Sequence, residues 1–138
     1  LSEFEGLVLP KIYQDNTNVY YTYPIILKEE KNYNRKKILY YLKKYGVEGM
    51  GEGYQNLHLL PIFQNKKIYK NSNFPWNSIF NKREISYKKG ICPVAEKMHD
   101  CLFIGFGISH FDLSIKNVDF IHSQLSKILK KKNIYLKD

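Results

Sequence analysis

An α/β or α+β fold, with a small mixed or antiparallel sheet packed by helices, is what this 138-residue sequence predicts. An aromatic and β-branched run at 18–27 reads as a strand, two segments at 35–45 and 115–132 repeat apolar residues at helical spacing, and a short apolar run at 102–107 reads as a second strand. Strand and helix patterns alternate, and a helix with one apolar face needs another element to cover it. A chain of this length suits one domain, which would bury roughly two-thirds of its unfolded surface.

In "NVYYTYPIIL", Asn18 to Leu27, Val19, Tyr21 and Tyr23 alternate with Tyr20, Thr22 and Pro24. Proline has no amide hydrogen for a ladder, so Pro24 belongs at an edge-facing position or a bulge. Asn34 then offers a side-chain oxygen as N-cap to "RKKILYYLKKYG". Ile38, Leu39, Leu42 and Tyr45 share one helical face there, and Gly46 stands where a left-handed residue ends a helix. Burying those four side chains would contribute on the order of 6–10 kcal/mol before entropy costs.

"EGMGEGYQNLHLLPIF", Glu48 to Phe63, follows with glycines at 49, 51 and 53. Phosphate loops need G-x-G-x-x-G at a strand-to-helix turn or G-x-x-x-x-G-K-[ST], and neither spacing occurs here. The glycines serve tight turning and close backbone approach. Residues 64–89, with five asparagines and the only tryptophan, have no sustained period, and long irregular segments of this kind are either functional or mobile. "CPVAEKMHDC" starts a short helix at Pro93, and "LFIGFG" is a buried strand. Ser114 caps the last helix, whose face is Ile115, Val118, Ile121, Leu125 and Ile128 and whose terminal lysines suit the negative end of the helix dipole.

Composition excludes several classes. Hydrophobic residues make up 43% of the chain, far from the disordered class. The formal charge is +9, but only Arg35 and Arg83 could read a guanine edge or clamp a phosphate, so a lysine surface without a specific nucleic-acid partner is expected. A stand-alone module binding an anionic polymer through lysine is the alternative function. Cys92 and Cys101 have no second pair and no histidines at zinc spacing, so no metal site or disulfide framework is indicated. No apolar run reaches a membrane span and no signal peptide is visible, so a soluble cytoplasmic protein is expected. The start at Leu1 without methionine suggests a piece of something longer.

Among the residues able to carry chemistry, His58 can shuttle a proton or position a polar substrate, or be a partly exposed loop histidine. His99 and His122 fall on helices without a partner at ligand spacing. Glu96 reads as a helix-surface carboxylate or a cap. Trp76 is either a packing anchor or a wall for a ligand.

Taken in order, "NVYYTYPIIL", "NRKKILYYLKKYGV", "GYQNLHLLPIF", "CPVAEKM" and the final helix resemble the C-terminal domain of the pyridoxal-phosphate-dependent sugar aminotransferases of the DegT/StrS family. "LFIGFG" departs from the family's usual turn, and "FPWN…ISYKKGICPVAE" is similar to a branch acting on cyclitols. The resemblance implies an aspartate-aminotransferase type fold, whose small C-terminal domain this chain would be. It implies a parent enzyme that passes an amino group from glutamate or glutamine to a keto sugar or keto cyclitol, as a homodimer. Tyr54, Gln55, His58 and Trp76 would face the substrate. The lysine, aspartate and stacked aromatic that hold pyridoxal phosphate belong to the family's large domain, which this chain lacks. The chain alone would therefore neither hold the cofactor nor transaminate.

Overall fold

The computed structural model describes residues 1–69, 72–79, 81 and 83–135, with the side chains of Glu30 and Lys132 left out. The expected irregular segment at 64–89 therefore includes four positions, 70, 71, 80 and 82, outside the described residues. Contacts divide the chain into two compact units, Leu1–Gly53 with Asp100–Asp138, and Tyr54–His99.

The first unit contains a four-stranded antiparallel sheet built from β1 (Leu7–Val8), β2 (Tyr23–Leu27), β3 (Met50–Gly51) and β4 (Phe103–Phe106), in the order β1-β2-β4-β3. "LFIGFG" is thus a central strand, and Ile104 and Phe106 are buried. The expected strand at 18–27 keeps only its second half. β4 ends opposite Tyr23 and β1 covers only Ile26 and Leu27, so residues 18–22 have no ladder to join, and Val19 is 98% exposed. Pro24 lies opposite Gly105, where β1 no longer runs alongside, and this is the edge setting its missing N–H requires.

Helix α1 (Arg35–Lys44) begins as the sequence reading expects, with the Asn34 side chain accepting from the Lys37 N–H at 3.1 Å. It closes with Val47 N–H donating to the Leu42 carbonyl and Gly46 N–H to that of Lys43, the paired bonds of a Schellman ending. Ile38 and Leu42 are fully buried, while Leu39 and Tyr45 are half-buried, so roughly half the anticipated burial is complete. Arg35, the first helical residue, is buried too. Its guanidinium donates to the carbonyls of Phe103 and Asp100 and pairs with Glu52 at 3.1 Å, tying the helix start to β4 and to the glycine run.

Helix α4 (Ile115–Leu129) carries a capping box between Ser114 and Asn117. Its expected face is only half right. Leu125, Ile128 and Leu129 join the core with Ile25, Leu27, Ile38 and Ile134, whereas Ile115 and Val118 at the other end are exposed. The terminal lysines also find a more specific use than the dipole: the Lys131 ammonium lies 4.4 Å from the Tyr41 ring centre and 4.7 Å from that of Tyr45.

The glycine run forms an edge. Met50 and Gly51 pair with β4 opposite Phe106 and Gly105, between Gly49 and Gly53, both at φ +77°. A Cβ on Gly49 would stand 2.3 Å from the Phe111 ring, and one on Gly53 2.6 Å from that of Phe103. Close approach and left-handed backbone both demand glycine there.

Candidate functional site

The second unit, Tyr54–His99, contains two short helices, α2 (Pro61–Gln64) and α3 (Pro93–Lys97), each begun by a proline at a position where its missing N–H costs nothing. A 3₁₀ turn at Leu57–Leu59 precedes α2. The backbone from α3 continues through one π-type stretch, Met98–Leu102, so the expected short helix is a five-residue helix with an altered end. Among the described residues of this unit, the only buried one is Glu96.

That carboxylate is the organising group. Gly90 N–H donates to both its oxygens at 2.8 Å, Cys92 N–H donates to Oε1 at 3.2 Å, and His58 Nε2 stands 2.9 Å from Oε1. Of the two sequence readings of Glu96, the cap is right and the surface carboxylate is not: it reaches back to the Cys92 amide, which the start of α3 leaves without an intrahelical partner, and to the Gly90 amide ahead of the helix. Burial by itself would raise its pKa. The Gly90 and Cys92 amides, and then His58, outweigh that and hold it below the usual carboxylate value.

His58 is accordingly not a free loop histidine. Its side chain is 10% exposed and fixed by Glu96. Tyr54 and Gln55, just before it, are exposed, Tyr54 at 77%. Trp76 packs edge-on against Phe63 and Tyr87, and its Nε1–H donates to the Tyr87 hydroxyl at 3.0 Å. It also lines an open hollow of about 340 Å³ with Lys66, Asn77, Asn81 and Arg83. The Gln64 amide joins the two groupings by donating to the carbonyls of His58 and Tyr87.

The structure thus brings His58 to Glu96 and Trp76 to Tyr87. Sequence reasoning missed Glu96 as a buried anchor, along with Gln64 and Tyr87. One signal for Glu96 was available: a carboxylate four residues after Cys92, in a helix opened by proline, can reach the amides before it. Nothing in the sequence marks Gln64 or Tyr87. Among the described residues no group of three or more side chains is arranged to hold a metal ion, and no helix is long and apolar enough to cross a membrane.

An antiparallel sheet flanked by helices, with a polar loop unit inserted between its third and fourth strands, defines a small α/β domain that displays polar side chains from a loop. The family model of the DegT/DnrJ/EryC1/StrS aminotransferase family matches residues 1–98, and the chain belongs to that family. Aminotransferases of this family are generally pyridoxal-phosphate dependent and act on small molecules. No curated protein and no solved structure matches the chain.

Proposed function

We propose that this chain is the substrate-side, C-terminal domain of a pyridoxal-phosphate-dependent aminotransferase that places an amino group on a keto sugar or keto cyclitol. The observation that carries this reading lies inside the matched region: an imidazole held by a buried carboxylate at His58, preceded by the exposed residues Tyr54 and Gln55. A polyhydroxylated ligand calls for such a set of donors and acceptors beside an aromatic wall, and Trp76 with its polar hollow supplies the wall. The amino donor is glutamate or glutamine, and the parent works as a cytoplasmic homodimer.

Pyridoxal phosphate attaches through a lysine whose amine is sheltered from water. Among the described residues the buried charged side chains are Arg35 and Glu96, and no described lysine side chain is buried. The described residues of this chain do not fit the cofactor, so we infer that its attachment lies in a large domain outside this chain. An unfilled apolar surface in the first unit supports that partner: a cavity of about 540 Å³ lined by Tyr20, Tyr23, Phe106, Val118 and Ile121, with Ile115 exposed nearby on α4.

The test is steady-state transamination by the polypeptide that carries both domains. His58→Ala and Tyr54→Phe should each lower kcat/KM for the keto acceptor about tenfold or more, the loss expected when a buried polar contact to substrate is removed. Lys116→Ala, at an exposed position on α4, should leave it unchanged. Unaltered kcat/KM in both His58→Ala and Tyr54→Phe overturns the assignment.

A further inference from the structure

The backbone partners of the Glu96 carboxylate are all donors. Both oxygens accept from the Gly90 amide, and Oε1 accepts from Cys92 as well. A backbone N–H cannot accept, so a proton on the carboxyl would have to displace one of these bonds, and the same amides favour the ionised form. The 2.9 Å contact to His58 is then a hydrogen bond only if Nε2 carries the hydrogen. In a neutral imidazole one nitrogen donates and the other accepts. With Nε2–H given to Glu96, Nδ1 holds the lone pair, and among the described residues it has no hydrogen-bond partner.

We propose that Glu96 is a positioning residue: it fixes His58 as the Nε2–H tautomer and leaves Nδ1 as the acceptor for a hydroxyl of a polyol ligand. The ligand half of this inference rests on the function proposed above, and the tautomer half does not. The geometry contains its own brace. Glu96 is held by amides on one side of the irregular segment and His58 lies on the other, so the orientation of the ring is tied to backbone at Gly90 and Cys92 rather than to a mobile side chain. Gln64 adds a second tie through the His58 carbonyl.

The 138-residue chain labelled with ¹⁵N-histidine tests this by long-range ¹H–¹⁵N correlation at about pH 8, where an ordinary imidazole is neutral. The His58 signals are those lost in His58→Gln. The expected spectrum has an unprotonated Nδ1 and an Nε2–H proton slow enough in exchange to be seen directly. Glu96→Gln should abolish that proton signal and move the ring toward a tautomer mixture, which loss of packing alone would not do while the other three histidines keep their shifts. An Nδ1–H form, or a rapidly exchanging mixture, in the unaltered chain overturns the proposal without reference to any variant, including one that fails to fold. The two readings fail separately. A fixed Nε2–H tautomer beside parent turnover indifferent to His58 removes the ligand and keeps the positioning, whereas a mixed tautomer removes the positioning whatever the parent does.

Discussion

The two units of this chain are held together by different physics. Leu1–Gly53 with Asp100–Asp138 contains all twelve buried hydrophobic residues found among the described positions, eleven of them in one cluster. Tyr54–His99 contains none of them, and its one buried described residue is a carboxylate surrounded by donors. Apolar burial is non-directional and tolerates approximate fits, whereas a buried charge is stable only while each of its bonds is made. The first unit is therefore a scaffold, and the second an arrangement of specific bonds that places a histidine.

Four substitutions sharpen the contrast, taken from the largest effect down. Ile38→Ala removes a fully buried side chain from the centre of the first unit, and should cost about 2–5 kcal/mol in a denaturant titration followed by far-ultraviolet dichroism. A comparable truncation in the second unit, at half-buried Phe63, should cost less; an equal cost would break the distinction. Gly49→Ala forces a Cβ into a left-handed residue and against the Phe111 ring, so a loss on the order of 1–3 kcal/mol is expected in the same titration. Tyr87→Phe deletes only the acceptor of the Trp76 indole N–H. It should cost roughly 0.5–1.5 kcal/mol and shift tryptophan emission while leaving the helical signal in place.

How much was legible follows the same division. Helix α1, its Asn34 cap, its glycine ending and the buried strand at 103–106 were all readable, because periodicity and end signals are local properties of the sequence. Where reading failed in this unit, the reason was non-local. Residues 18–22 have the composition of a strand but no neighbouring strand among the described residues, and Ile115 and Val118 continue an apolar face that no described residue buries. In the second unit His58 was a candidate from its chemistry alone, but its partner lies 38 residues away and no pattern connects them. Gln64 and Tyr87 acquire their roles only through carbonyl and hydroxyl positions fixed by the fold. The glycine-rich run, whose spacing already excluded a phosphate loop, is an edge strand shaped by two phenylalanine rings.

The dependence of the second unit on an ionised Glu96 has a pH signature, and the single tryptophan lies in that unit. Because the folded-state pKa of Glu96 is depressed, its contribution to stability is fully present above the ordinary carboxylate value of about 4.3 and is lost as pH falls through the folded value. Trp76 emission and far-ultraviolet dichroism, recorded on one sample taken downward from neutral pH, compare the units directly, since the long helices α1 and α4 belong to the first. The account predicts a change in Trp76 emission below about pH 4.3 while the helical signal persists, and the absence of that early step in Glu96→Gln. Coincident loss of both signals, with the same midpoint in Glu96→Gln, would contradict it.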